Sequence, residues 1–328
     1  MRAPHVRLSA LGRYTPPRVL TNADIVARFG LEVDAAWIER QTGIRSRHWL
    51  APEQTTSDMA VEAARTILAR ADVAPTDVDR IVLATISPDH PSPSTATIVA
   101  RKLGARCPAF DLSAACAGFL YAVDAGAAAV RGGANRVLVL AADARSRFID
   151  TRDRRACVLF ADGAGGALLE PAEEPGLLAV HLGAEGREHM GAWIPAGGAA
   201  RPTTAETVAA GEHFLQVDGK EEIFELFVRF TREACEAALE RAGVEWGAVD
   251  LFVTHQGNAR MVELVLQALE IPADRAVNDV THHGNTAGAT VPIALAEAWD
   301  AGRIGPGSLV LFTSVGAGYT FGAALHRF

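Results

Sequence analysis

The sequence predicts an α/β protein made of two similar lobes, with sheets covered by helices on both faces. Three observations carry this. Short apolar runs of strand length recur without strict alternation. Alanine-rich helical patterns fill the intervals between them. A glycine-containing strand motif occurs twice, about half a chain apart. Continuous apolar runs suit strands buried on both faces, whereas a half-exposed sheet would show alternation.

The strand-like runs are Ile81-Val82-Leu83-Ala84-Thr85, Arg136-Val137-Leu138-Val139-Leu140, Leu251-Phe252-Val253-Thr254 and Leu309-Val310-Leu311-Phe312-Thr313. Cys157-Val158-Leu159-Phe160-Ala161 and Gly165-Gly166-Ala167-Leu168-Leu169 read as a strand, turn, strand pair. Helical patterns cover residues 59–71, 94–103, 118–131, 222–242, 259–269 and 290–301. The helix at 118–131 is rich in alanine and other small residues, the composition of a helix with close neighbours on several sides.

The repeat pairs residues 160–169 with 315–325. Each has Gly-Ala-Gly at an expected turn and then an apolar strand. Two lobes, 1–172 and 216–328, are therefore expected to flank a Gly/Pro/Ala-rich, loop-like linker at 173–215.

Hydrophobic residues make up 49% of the 328-residue chain, enough for a large core. The formal net charge of -8 and the lack of a long basic run argue against nucleic acid or an anionic membrane as the main partner. No apolar run reaches membrane-spanning length, and residues 1–6 lack the apolar stretch of a signal peptide. A reducing cytoplasm is the expected location, with its four cysteines free.

Cys116 stands out among them. It lies where a strand-like segment gives way, through small residues, to the alanine-rich helix. A helix N-terminus favours thiolate; a buried structural cysteine is the alternative from this window alone. Cys107, Cys157 and Cys235 read as packing residues. His255 directly follows an apolar strand, at the strand end where α/β folds place chemistry. Asn285 lies between glycines just before another helix. Taken alone, His255 reads as a core histidine and Asn285 as a helix cap. His282 and His283, with Asp279 close by, do not form a ligand motif, and no metal is expected.

In this order along the chain, several stretches together resemble the β-ketoacyl-acyl carrier protein synthase III family of the thiolase superfamily. They are Trp37-Ile38, Thr42-Gly43-Ile44-Arg45, Pro108-Ala109-Phe110-Asp111, Ala115-Cys116-Ala117-Gly118-Phe119 and Phe160-Ala161-Asp162-Gly163-Ala164-Gly165. His255-Gln256-Gly257-Asn258, Gly284-Asn285-Thr286 and Gly316-Ala317-Gly318-Tyr319-Thr320 complete the set. The resemblance implies a thiolase-like, five-layered αβαβα fold of two similar halves, in a homodimer. It implies Cys116 as nucleophile with His255 and Asn285 as catalytic partners, and the main-chain N–H groups of Cys116 and Ala317 as an oxyanion hole. No permanently bound cofactor is implied: acyl-CoA is a substrate, and malonyl-loaded acyl carrier protein is the second partner. Trp37 and Arg154 match residues on the two faces of the adenine, Asn258 a residue touching pantetheine, and Arg260 a basic residue at the tunnel mouth and docking surface.

The sequence departs from the family in its acyl pocket. Ser92 stands where acetyl-preferring members carry an aromatic that closes the pocket from across the dimer interface, and Val315 also replaces an aromatic. Both argue for a primer larger than acetyl. Arg145 is a candidate partner for the free carboxylate of a dicarboxylyl primer, such as the glutaryl group a biotin-pathway relative uses; facing water, it would have no such role. Gln41 replaces an arginine that helps hold CoA phosphate, and Glu225 replaces a basic residue near the entrance. Two other functions remain in view: an acyltransferase that passes the acyl group to a hydroxyl, amine or aromatic acceptor, and a non-catalytic module that binds carrier protein.

Overall fold

The computed structural model describes residues 5–188, 191–217 and 220–328. Met1 to Pro4, the start of the segment tested for a signal peptide, lie outside the described residues.

The first half contains β1 (His5–Tyr14), β2 (Arg80–Ala84), β3 (Ala109–Leu112), β4 (Val137–Ala144) and β5 (Asp162–Ala172). They form one sheet in the order β1-β5-β4-β2-β3. The second half contains β6 (Leu177–Ala184), β7 (Leu251–Thr254), β8 (Leu309–Gly316) and β9 (Thr320–Arg327), in the order β7-β8-β9-β6. The halves match strand for strand. β2 runs parallel to β4, as β7 does to β8. β4 runs antiparallel to β5, as β8 does to β9. A lone parallel bridge from Phe252 to Ala276 stands where β3 has its counterpart.

The helices repeat in step with the strands. In chain order they are α1 (Thr56–Ala71), α2 (Thr95–Leu103), α3 (Gly118–Arg131), α4 (Lys220–Ala242), α5 (Ala259–Ala268) and α6 (Thr290–Asp300). α1 and α2 cover the outer face of the first sheet, and α4 and α5 that of the second. α3 and α6 lie between the sheets and touch both. The result is the five-layered αβαβα arrangement. Being sandwiched, α3 needs small residues: a Cβ at Gly126 would lie 2.6 Å from Val139 Cγ1, and one at Gly118 2.9 Å from Ala84 Cβ. α6 buries Val291 through Ala296 for the same reason.

Three sequence expectations need correction. Cys157 to Ala161 is not a strand. A short helix, Arg154–Cys157, is capped by the Asp153 side chain, and the residues after it pair with the Asn285 segment. Asn285 N–H donates to Leu159 O and Ala161 N–H to Asn285 O, both at 2.9 Å, so this backbone is satisfied outside the sheet. Gly163-Ala164-Gly165 is not a turn either; it lies inside β5. Small residues are needed there because α6 crosses close by: a Cβ at Gly165 would lie 3.0 Å from Ile293 N. Its partner in the repeat, at 316–318, does form the β8–β9 turn. Finally, the expected linker at 173–215 contains β6, an edge strand of the second sheet. Its partly exposed residues dilute the apolar signal.

Candidate active site

The two central helices begin with the same device. Residues 115–117 and 287–289 are single 3-10 turns, one before α3 and one before α6. Each opens on an alanine in the left-handed region, Ala115 at φ 46° and Ala287 at φ 51°. L-residues adopt that region at a cost, and such outliers persist where the surroundings enforce them. The first turn presents Cys116 and the second follows Asn285. The two helix mouths are thereby brought together from opposite halves.

Backbone packing fixes the cysteine turn. Ser314 Oγ donates to Cys116 O and Thr320 Oγ1 to Ala114 O, each at 2.7 Å. A Cβ at Gly316 would lie 2.7 Å from Cys116 N, so only glycine allows the β8–β9 turn, with Ala317, to approach this closely. Below the turn Asp143 ties the halves together. Its Oδ1 accepts from Thr85, the Ile86 amide and Ser87, and its Oδ2 from the Gly288 amide.

The thiol is not the ready thiolate that the helix N-terminus suggests. Burial pushes Cys116 up to about 12; the Asp143 charge acts the same way, and Arg145 opposes it. Burial also holds His255 down at about 4. Moving a proton from the thiol to the imidazole would create two charges in a buried site, and burial opposes both of them. A helix terminus supplies about 1 kcal/mol. At neutral pH both groups are therefore uncharged in the resting site.

His255 is 4% exposed, and its ring is oriented by Thr290, the first residue of α6, whose Oγ1 lies 2.7 Å from Nδ1. That hydroxyl has one proton. Donated to Ala287 O, 3.1 Å away, it leaves Oγ1 to accept from Nδ1–H, and Nε2 is a bare acceptor. Turned onto Nδ1, it makes Nε2–H a donor to the cavity. Asn285 has no such freedom: its Oδ1 accepts from the Ala287 amide at 2.9 Å, so Nδ2 is left to donate. A Cβ on Gly257 would lie 2.8 Å from His255 Nε2 and 3.4 Å from Asn285 Nδ2. Glycine at 257 keeps open the space beside both nitrogens.

Cys116, His255 and Asn285 line one cavity of about 370 Å³ that reaches from Trp37 and Arg154 to Ile86 and Arg145. Gln41, Asn258, Val315 and Ala317 also line it. Asn258 uses its Oδ1 to cap α5, accepting from Arg260 N at 2.8 Å. The Arg154 guanidinium lies directly on the Trp37 ring, 5.3 Å from its centroid. An adenine entering between them has to displace that contact. Arg260 is outside the cavity, paired with Glu263 at 2.7 Å and donating to Arg40 O. Ser92 and Glu225 are exposed and line no part of it. The apolar wall from α4, Ile223, Phe224 and Phe227, was not singled out from sequence, and neither was Thr290. Their signals were a helical period and a spacing of five from Asn285.

Elsewhere, the fold joins Asp279, His283 and Glu297, whose ligand-type atoms lie within 4.8 Å of one another. This is closer than the sequence suggested. Glu297 already pairs with Arg13 at 3.1 Å and with His283 at 2.8 Å, and none of the three lines the Cys116 cavity. No helix among the described residues is long and apolar enough to cross a membrane.

Comparison with known proteins gives one family. Residues 110–186 match the family model of 3-oxoacyl-[acyl-carrier-protein (ACP)] synthase III, and residues 239–328 match the model of its C terminal part. The chain is 40% identical to the β-ketoacyl-[acyl-carrier-protein] synthase III of Symbiobacterium thermophilum, over 100% of this chain and 99% of that protein. It is 42% identical to that of Solibacter usitatus, over 99% of each. Among solved structures, the synthase III of Thermus thermophilus superposes with a TM-score of 0.90 at 36% identity, covering 98% of this chain and 99% of that one. The priming β-ketosynthase of a polyketide biosynthetic pathway does so with 0.92 at 32%, covering 100% and 97%.

Proposed function

Because the chain belongs to the 3-oxoacyl-[acyl-carrier-protein] synthase III family, we propose that Cys116, His255 and Asn285 carry out a two-step decarboxylative condensation. In the first step the Cys116 sulfur attacks the thioester carbonyl of an acyl-CoA. The new S–C bond forms as the bond to CoA sulfur breaks, and the cysteine proton leaves with CoA as its thiol. Since neither Cys116 nor His255 ionises readily, proton loss accompanies attack instead of preceding it. The amides of Cys116 and Ala317 are the expected oxyanion hole; Gly316 supports this by setting their turns against each other.

In the second step malonyl-acyl carrier protein loses CO2, and the resulting enolate carbon attacks the acyl-Cys116 carbonyl. The new C–C bond forms as the bond to Cys116 sulfur breaks. This releases β-ketoacyl-acyl carrier protein and a thiolate, which takes up a proton from solvent to restore the thiol. The enolate oxygen needs donors. Asn285 Nδ2 is one, and His255 Nε2–H is the other once Thr290 turns its proton onto Nδ1. The fixed donor direction of Asn285 is the observation that carries this reading, because passing an acyl group to a hydroxyl or amine forms no enolate.

Trp37 and Arg154 bind the adenine, and Asn258 faces the pantetheine. Arg154, exposed on the cavity wall, and Arg260, outside the cavity, are basic groups for an acidic carrier protein. A homodimer is supported by the edge strand β3, whose Phe110 is 41% exposed. In such a dimer Ser92 would face the partner's pocket. With Val315 in the cavity wall, it favours a primer larger than acetyl. A cytoplasmic location fits the free cysteines and the use of acyl-CoA.

The test is product analysis of acyl-loaded protein mixed with malonyl-acyl carrier protein. Release of CO2 with a β-ketoacyl product is expected. A stable acyl-Cys116 protein that releases none would sink the condensation reading.

A further inference from the structure

Arg145 is 2% exposed, one of the two bulkiest fully buried side chains described, and it lines the same cavity as Cys116. It begins a 3-10 turn just after β4. Its guanidinium lies near two aromatic rings, 5.5 Å from the Phe160 centroid and 5.9 Å from that of Phe148. Its Nε has no hydrogen-bond partner. Among the described residues no carboxylate is within ion-pairing distance of it.

The nearby carboxylates are committed elsewhere. Asp143 accepts from two hydroxyls and two amides. Asp162 accepts from the Leu50 and Ser146 amides and from the Ser146 hydroxyl. Arginine does not shed its proton in proteins, and a buried charge with no close counter-ion is expensive. The other fully buried arginine, Arg47, donates to Asn22 Oδ1 and Val158 O, each at 2.8 Å, and lies outside the cavity lining. Arg47 Nε is unpartnered as well, but Arg145 differs in having no guanidinium hydrogen bond among the described residues, only the Phe148 and Phe160 rings beside it. It differs also in facing the chamber where the acyl group must lie.

We infer that the acyl group loaded on Cys116 ends in a carboxylate, so that the primer is a monothioester of a dicarboxylic acid whose free end pairs with Arg145. This rests on acylation of Cys116 as proposed above. The apolar lining of Ile86, Val158, Leu159 and Val315 suits the methylenes between the two ends. The guanidinium fork matches a carboxylate through two parallel hydrogen bonds. The chemical step is unchanged: an S–C bond forms at Cys116, the bond to CoA breaks, and the distal carboxylate does not react.

The experiment measures Cys116 acylation by intact mass and rate, using chain-matched pairs: glutaryl-CoA against valeryl-CoA and succinyl-CoA against butyryl-CoA. Wild type is expected to favour the carboxylate-bearing member of a pair by at least about 30-fold in kcat/KM, the lower end for a buried charge pair. Arg145→Leu is expected to reverse that preference, and Arg145→Lys to restore part of it. A wild type that favours the neutral donors would overturn the inference. So would an Arg145→Leu protein slowed equally toward both members, since Arg145 would then be acting on the thiol alone. Where Arg145→Leu fails to fold, the wild-type ratio decides. No adduct with any donor would overturn the acylation reading itself, whereas neutral-only adducts overturn only the carboxylate.

Discussion

Thr290→Val isolates the hydroxyl that orients His255. Valine keeps the shape and removes the oxygen 2.7 Å from Nδ1, together with its bond to Ala287 O at 3.1 Å. Both groups are buried, and water cannot replace the loss. Leaving one such partner unsatisfied costs about 1–3 kcal/mol. If that cost falls on the transition state of condensation, the rate drops about 5- to 150-fold. The assay is single turnover of acyl-loaded protein with malonyl-acyl carrier protein, read beside the acylation burst. Condensation should fall while KM for malonyl-acyl carrier protein changes little, and Thr290→Ser should recover most of the rate. A purely structural role would lower stability without this split. Unchanged condensation in Thr290→Val, or a defect that serine does not repair, would refute the reasoning.

The other predictions concern charge. In Asn285→Asp, Oδ1 still accepts from the Ala287 amide, so the fold should hold, but the Nδ2 donor is replaced by an oxygen. Condensation should fall by about 100-fold or more with acylation largely retained, and equal loss of both steps would count against the donor role. Because Cys116 is pushed up to about 12, its alkylation by iodoacetamide should climb steadily from pH 7 to 10; a plateau near neutrality would show a thiolate instead. His255 is held down at about 4, against an unfolded value near 6.5. Between those values the unfolded chain binds the proton and the folded one does not. The stability present above pH 6.5 should therefore decline as pH falls toward 4, by roughly 3 kcal/mol from this group. Urea midpoints across that window measure it, and a flat profile would contradict the neutral buried histidine. His326, held at about 3 with Nε2 accepting from the Leu8 amide, adds in the same direction.

The two-lobe repeat was read from a Gly-Ala-Gly motif whose copies sit differently, one inside β5 and one at the β8–β9 turn. The small residues at 118–131 already indicated a helix with close neighbours on several sides. Residues 157–161 misled because an apolar run satisfies its backbone either in a sheet or, as here, against a distant segment at Asn285. Local pattern cannot distinguish the two. Glycines 163 and 165 look like turn residues, but they are small because α6 crosses β5, a long-range contact with no local trace. Cys116, His255 and Asn285 could be singled out because strand ends and helix starts mark where α/β folds expose functional groups. The state of the thiol could not be read. The dipole is a local property of the chain, whereas the burial that outweighs it comes from both halves closing over the site. Arg145 could be read from sequence either as a partner for a primer carboxylate or as a charge facing water. The choice depends on how the turn after β4 folds, which places it in the cavity lining.

The central claim is that Cys116 carries the acyl group into a carbon–carbon bond. Its most direct measurement is intact mass of the wild-type and Cys116→Ala proteins after incubation with acyl-CoA, followed by 14CO2 counting when carboxyl-labelled malonyl-acyl carrier protein is added. The account predicts a single acyl adduct on wild type and none on Cys116→Ala, with the adduct discharging as CO2 and β-ketoacyl product appear in equal amounts. An adduct that persists in Cys116→Ala, or discharge without CO2, would contradict it.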